Sequence, residues 1–339
     1  MTASPISIDP PPQILALEKI ADGYKTACLL RAGFATQLFD WLSEHGPASK
    51  NDICSALQLR GAHLGFFLQA LIDQGCLRQN GSLFKLATGM EKLLSSNAQW
   101  SYRSQLECLM SADSRWTRLA DFMTEGHSTA PRSPSDLCQQ LDFSQQPFFA
   151  ESRSILNTPL VLDAVNKAKN ILCVDGTDGL LAALISRLQP SVAVTVVVAE
   201  EHKAIALLHL ETLAAGGLWT LLLGNVFEVP QDASFDLLLM AHNLYPLRKT
   251  TAAALVTAGE LTAAGGQLIS AHWFCQEACE TAPGALDDID KAIITDSHPL
   301  CHVEHFCERL ESAGFSHCVR DKLKGPYGLT ELHFGRKTQ

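Results

Sequence analysis

Three absences narrow the reading of this 339-residue chain before any motif is sought. It has no surplus of basic residues: 26 Lys and Arg stand against 36 Asp and Glu, for a formal charge of -10. A nucleic-acid backbone or an anionic membrane surface is bound through excess positive charge, so neither is expected as the main partner. It has no long apolar run, the most apolar stretch near its middle, Val192 to Val198, being far too short to cross a bilayer. It has no C-x-x-C pair, and its 11 cysteines are odd in number, which reads as a reduced inventory rather than a disulfide framework. The opening M-T-A-S-P-I-S-I-D-P-P-P shows neither a basic nor an apolar leader region, and a cytoplasmic protein is expected.

What is present is an ordinary globular composition, 47% hydrophobic and 18% charged, enough for two cores in a chain of this length. Apolar residues recur at helical spacing through Ile14, Leu17, Ile20, Tyr24, Leu29, Phe34, Leu38, Phe39 and Leu42, giving two helices or one bent helix that stops near Gly46 and Pro47. After Ser49 to Leu59, a helix is predicted from about His63 to Gln74, closed by Gly75. The segments C-L-R-Q and S-L-F-K-L flank Asn80 and Gly81, a two-residue hairpin signal. This order makes a winged helix. Its third helix carries L-G-F-F-L-Q-A-L-I where DNA readout needs polar and basic side chains, so DNA binding is not expected.

Residues from about 100 to 165 are less regular, with helical pieces at Trp116 to Met123 and Phe148 to Ala168 around the loop E-G-H-S-T-A-P-R-S-P-S. From Asn170 the texture alternates. Strands are predicted at Ile171 to Val174, Ala193 to Val198, Trp219 to Leu223, Phe235 to Met240 and Gln267 to Ala271, with helices at 179 to 188, 202 to 215, 249 to 262 and 302 to 313. Near-continuous apolar strands between helices imply an α/β doubly wound parallel sheet covered on both faces, with a ligand beyond the carboxyl ends of its strands.

Several segments in this order resemble the S-adenosylmethionine-dependent small-molecule O-methyltransferases that carry an N-terminal winged-helix dimerisation domain. C-L-R-Q-N-G-S-L-F-K-L-A-T-G-M-E-K-L is similar to that family's wing and following helix, and W-T-R-L-A-D-F-M-T-E-G to its connector. L-T-A-A-G-G-Q-L-I-S resembles the turn into its fifth strand, and the run from Asp287 to Ala-Gly-Phe at 313 to 315 keeps its spacing. The resemblance implies a dimerisation domain at 1–98, connector helices at 99–165 and a Rossmann-like cofactor domain at 166–339. It also implies a homodimer, S-adenosyl-L-methionine as cofactor, and a small aromatic or polyketide-like acceptor.

The site motifs depart from the family's pattern. Its Asp-x-Gly-x-Gly-x-Gly turn appears as C-V-D-G-T-D-G, with Cys173 for the Asp, Asp175 and Thr177 for two glycines, Gly179 in phase and Gly176 as a partial substitute. A carboxylate at 175 repels the cofactor's own carboxylate unless it turns toward the ammonium or solvent. The ribose-binding acid falls on Glu200 or Glu201 in V-V-V-A-E-E-H, provided the strand is a residue or two longer than usual. The adenine-side Gly-Asp-Phe-Phe becomes G-N-V-F, which assigns Asn225 and Val226. The family's general base, a His, aligns with Tyr245, while His242 lies three residues earlier and His272 just after the fifth strand. A His suits removal of a phenolic proton because it titrates near neutrality, whereas a phenol with a pKa near 10 is a poor base.

These departures keep a second expectation open, a methyltransferase-fold protein that has lost methyl transfer and performs another biosynthetic step or a binding role. Histidines and cysteines are dense at 298–307 and 272–279, and on a helix Cys301 and His305, or His302 and His305, would share a face. No standard zinc spacing occurs, and no metal is expected.

Overall fold

A computed structural model describes residues 13–98, 101–112, 114, 116–125, 148–275, 285–295, 298–325 and 327–338. The opening twelve residues, most of the Ser/Pro/Gly loop after Glu125, and Cys279 lie outside the described residues. The chain divides into two compact units, one running to Arg118 and one from Leu119 onward.

In the first unit, helices Ile14–Ala35 and Leu38–His45 lead to β1 (Ala48–Ser49), helices Lys50–Ala56 and Gly61–Asp73, and the hairpin β2 (Leu77–Asn80) and β3 (Leu83–Leu86). The strands form an antiparallel sheet in the order β1-β3-β2, the wing of a winged helix. Asn80 pairs with Leu83, so the two-residue loop is Gly81-Ser82, one position later than the sequence signal, with Gly81 at positive φ. Ser49 and Asp52 cap helix Lys50–Ala56 reciprocally, which fixes where it starts. The core is apolar: Phe34, Leu38, Phe39, Leu42, Ile53, Leu68 and Leu71 are buried together. Gly33 lets the Phe39 ring approach, since a Cβ there would meet it at 2.3 Å.

The second unit is a doubly wound α/β domain. Its strands are β4 (Asn170–Asp175), β5 (Ala193–Val198), β6 (Trp219–Leu223), β7 (Phe235–Ala241), β8 (Thr262–His272), β9 (Phe315–Gly325) and β10 (Gly328–Lys337), in the order β6-β5-β4-β7-β8-β10-β9. The first five run parallel, and β10 and β9 add antiparallel at the β8 edge, a pair absent from the sequence-predicted elements. Side chains alternate between two buried layers. Ile171, Cys173, Val196, Leu239 and Ile269 face one, with helices Phe149–Asn157, Pro159–Lys167, Leu180–Leu188 and Lys203–Leu213. Leu172, Val174, Val197, Leu238 and Leu268 face the other, with helices Thr251–Leu261 and Phe306–Ser312. Cys173, in place of the family's aspartate, is fully buried and its thiol is pushed well up by burial, so it packs as a small apolar residue.

Two expectations are corrected. The cysteine inventory is not wholly reduced: Cys307 on helix Phe306–Ser312 is bonded to Cys318 on β9, because the turn at Ala313 and Gly314 folds the strand back beside the helix. The predicted helix at 302–313 is a one-turn 3-10 segment, Val303–His305, followed by helix Phe306–Ser312, and Cys301 lies before both, so Cys301 and His305 do not share a helix face. Among the described residues no helix is long and apolar enough to cross a membrane.

Candidate active site

The carboxyl ends of β4, β7 and β8 lie side by side, with Asp175, Ala241 and Ala271 in register. The chain leaves β4 through Gly176, whose N–H donates to the Ala241 carbonyl at 2.8 Å, and leaves β7 through His242, whose N–H donates to the Ala271 carbonyl at 3.0 Å. A Cβ at 176 would lie 2.2 Å from the His242 carbonyl oxygen, so only glycine allows these exits to close on each other. His242 has φ 52°, a left-handed backbone that costs a non-glycine residue about 1–2 kcal/mol and aims its ring along the strand ends.

That ring sits in a fully buried network. The Trp273 backbone N–H donates to the Tyr245 hydroxyl at 2.8 Å, and the hydroxyl lies 2.7 Å from His242 Nδ1. The hydroxyl thus meets Nδ1 with the Trp273 N–H already on its oxygen, and on the ring's other side Nε2 lies 3.2 Å from Glu151 Oε1, too poorly aligned to make a hydrogen bond. Glu151 comes from helix Phe149–Asn157, and its Oε1 also accepts from Trp273 Nε1 at 3.1 Å and from the Thr330 hydroxyl of β10. Burial raises the Glu151 pKa, but the His242 charge and the donors Thr330 and Trp273 outweigh it and hold the carboxyl below its usual range. Burial pushes the Tyr245 hydroxyl well above a free phenol, which removes it as a base at neutral pH. Phe148, Trp273 and Tyr327 pack over the network, Trp273 at 4.4 Å from the His242 ring centre.

His272 is separate in role. Leu244 N–H donates to its Nε2 at 3.3 Å and its Nδ1 meets Ser270 Oγ at 2.8 Å, while burial, reinforced by His242 and His333, holds its pKa well below the usual range. Its Nε2 also lies 3.2 Å from Asn243 Oδ1, so the ring ties the turn after β7 to the end of β8.

The turn after β4 is built from acids. Asp175 Oδ1 accepts from the Thr177 N–H at 2.9 Å and its hydroxyl at 2.6 Å, and Asp178 Oδ1 accepts from the Leu180 N–H at 3.1 Å. Each keeps a second buried oxygen, Oδ2, with no hydrogen-bond partner. Burial, opposed by the Leu180 N–H, raises Asp178 to about 6, and burial with the Asp178 charge raises Asp175. Gly179 follows at φ +73°, where a Cβ would meet Ala206 at 2.7 Å.

The remaining expected residues are more dispersed. β5 ends at Val198, so Glu200 and Glu201 sit on a 3-10 turn beyond the strand and are exposed, with Glu200 3.9 Å from Lys203. Asn225 spends its side-chain oxygen on the Phe227 N–H in a reciprocal cap with Glu228, and Val226 is buried in the sheet's apolar layer, so its side chain is core. Sequence reading missed Glu151, Thr330 and Asp178. Glu151 and Thr330 lie 179 residues apart, a pairing that no local pattern announces. Asp178 sat inside the quoted motif, and its place just before an apolar helix is the signal that was available.

No protein-family profile matches the chain, and no curated protein matches it. Solved structures do. An O-methyltransferase family protein from Burkholderia thailandensis is 16% identical, covering 97% of this chain and 99% of that one with a TM-score of 0.71. The fold is that of the S-adenosylmethionine-dependent O-methyltransferases. Human N-acetylserotonin methyltransferase, solved with its cofactor, is 17% identical over 98% of this chain and 100% of that one at TM-score 0.66. CalO1, a methyltransferase of calicheamicin biosynthesis solved with S-adenosylhomocysteine, is 16% identical over 97% and 100% at TM-score 0.63.

Proposed function

We propose that this methyltransferase-fold protein is an S-adenosylmethionine-dependent O-methyltransferase of a small aromatic or polyketide-like metabolite. The observation that carries the reading is the pairing, at one sheet edge, of a buried carboxylate–imidazole couple, Glu151 and His242, with two acids, Asp175 and Asp178, that each hold an uncommitted buried oxygen. Those oxygens fit the positive charge of the cofactor's methionine end, which answers the expected repulsion at 175: one oxygen is turned into the Thr177 turn and the other is left for an ammonium. Gly176 and Gly179 keep the backbone free of side chains there. Glu200 or Glu201, carried on the 3-10 turn beyond β5 rather than on a lengthened strand, would accept from the ribose hydroxyls, and the backbone at Asn225 and Val226 would face the adenine side.

When bound, the cofactor supplies a methyl group on a sulfonium. The chain's part is to position the acceptor and take its proton, since an in-line displacement needs alignment above all. Glu151 and His242 take that proton as a couple once the acceptor's hydroxyl displaces the Tyr245 hydroxyl at Nδ1, the proton passing to that nitrogen and the carboxylate stabilising the imidazolium that forms. Tyr245, fixed by Trp273, orients the ring. His272 supports the turn. The aromatic cover of Phe148, Trp273 and Tyr327 excludes water and suits a flat acceptor.

Calorimetric titration of the purified protein with S-adenosylmethionine and S-adenosylhomocysteine tests the reading. Saturable micromolar binding supports it; no heat and no thermal shift sinks it. Turnover unchanged in His242→Ala would clear that residue of proton transfer. The closure of the Gly176 turn on His242, with both His242 nitrogens engaged, favours a second reading in which the fold performs another biosynthetic step without methyl transfer, and failure of the titration selects it.

The same reading includes a homodimer through the N-terminal domain. Leu15, Leu17, Ile20 and Tyr24 are 67–71% exposed on helix Ile14–Ala35, and Phe66 is 80% exposed, an apolar face of the kind that marks an interface. Light scattering should give twice the chain mass, and Leu17→Lys with Ile20→Lys should halve it. A cytoplasmic site of action, where the cofactor is made, belongs to the same reading, and the protein should fractionate with the cytosol.

A further inference from the structure

Beyond β8 the chain runs on through Trp273 and Phe274 and is clamped by the segment 298–301. Phe274 bridges Leu300 in parallel, Leu300 N–H donates to the Trp273 carbonyl at 3.0 Å, and Cys275 N–H donates to the Leu300 carbonyl at 2.8 Å. This register brings Cys275 beside Cys301 and carries His298 with them, and one ligand atom from each of the three lies within 4.8 Å of the others.

We propose that Cys275, His298 and Cys301 supply three ligands of a zinc site. Two sulfurs and one imidazole are a soft to borderline donor set that selects zinc over calcium or magnesium. Ligand atoms in a tetrahedral zinc site stand roughly 3.3–3.8 Å apart, given zinc–sulfur bonds of about 2.3 Å and zinc–nitrogen bonds of about 2.0 Å, so the trio needs to close by no more than about 1–1.5 Å. The imidazole's tautomer suits it. His298 Nδ1 lies 2.7 Å from the Pro299 carbonyl oxygen, which can only accept, so the ring proton is on Nδ1 and the Nε2 lone pair is available, the arrangement that ligating histidines use. The half-buried cysteines and exposed His298 give the ion an entry path.

The neighbouring candidates are committed elsewhere. His302 Nδ1 is 3.2 Å from Glu304, His305 Nδ1 is 3.1 Å from Glu308, and Cys307, bonded to Cys318 until reduced, is not one of the three residues that converge. The sequence expectation of no metal rested on motif spacing, and spacing fails here because 23 residues separate His298 from Cys275 and the β8 extension supplies the juxtaposition. Binding releases a proton from each thiol as it coordinates. The ion would pin segment 298–301 to the end of β8, two residues past the Trp273 that holds Tyr245.

The test uses full-length protein, reduced and freed of metal, titrated with cobalt(II) and then zinc. One cobalt per chain is expected, with thiolate-to-metal charge-transfer absorption and the strong visible bands of a tetrahedral site, both abolished by one equivalent of zinc. Cys275→Ser and Cys301→Ser should each remove the charge-transfer band. His298→Ala, an exposed change that leaves the fold intact, should weaken zinc at least ~10-fold. His302→Ala and His305→Ala should leave the affinity unchanged. Reduced wild-type protein that takes up no cobalt or zinc at micromolar metal overturns the proposal, as does a Cys275→Ser, Cys301→Ser double variant that binds one equivalent as before. A Cys275–Cys301 disulfide that, once reduced, still binds no zinc overturns it equally.

Discussion

The two units bury different things. Among the described residues of the unit ending at Arg118, the buried side chains are hydrophobic with the single exception of Ser101. In the unit from Leu119 onward, the described residues include buried Glu151, Asp175, Asp178, His242, Asn243, His272, Lys291 and His333. Both have apolar cores, so the difference is not one of packing. Burying an ionisable group is costly unless it is paired. A domain that only needs to hold its shape has no reason to do so, and the groups gathered at the ends of β4, β7 and β8 are the ones on which the proposed function rests.

Glu151→Ala attacks the contrast hardest. It strips Trp273 Nε1 and the Thr330 hydroxyl of their shared acceptor and the His242 ring of its counter-charge, and a loss of about 3–5 kcal/mol is expected by urea unfolding, with Glu151→Gln recovering part of it. Phe39→Ala in the first unit should cost a similar ~3–5 kcal/mol by cavity formation, yet leave the affinity of the second unit for S-adenosylmethionine unmoved. A cofactor affinity that fell with it would erase the distinction drawn between the units.

The smaller effects concern pH. Asp178 has a folded pKa of about 6, above its unfolded value, so its contribution is fully present below about pH 4 and is lost as pH rises through 6. Asp178→Asn keeps an oxygen for the Leu180 N–H and should gain up to about 3 kcal/mol on wild type at pH 8, shrinking toward zero at pH 4. His333 behaves oppositely. Burial depresses it to about 4, so its contribution is present above pH 6.5 and lost as pH falls through 4. It lies against Phe274 and Phe306, and His333→Phe should resist acid unfolding by about 2 kcal/mol at pH 5 while matching wild type at pH 8. Parallel urea curves for both variants across pH 4–8 would expose any error in these signs.

Five parallel strands, the helices between them and the wing hairpin were legible because each is announced by a period of 2 or 3.6 within a few residues. The closing pair β9 and β10 was not, since its exposed residues on β9 dilute the alternation. In the site, His242 and Asp175 were legible as departures from a motif, but their partners were not. Tyr245 read as a weak base and stands 2.7 Å from His242 Nδ1, its hydroxyl held by the Trp273 N–H.

By itself the sequence determined the wing hairpin and the doubly wound sheet, because local periodicity and chain order dictate these. Only the tertiary structure decided that Glu151, brought from a helix 91 residues upstream of His242, is the imidazole's counter-charge; that Asn225 caps a turn; and that Cys275, His298 and Cys301 converge. The reason is common to all three. Hydrogen bonds, ion pairs and ligand clusters act over a few ångströms of space, and the residues that make them are set side by side only when strands distant in sequence pair.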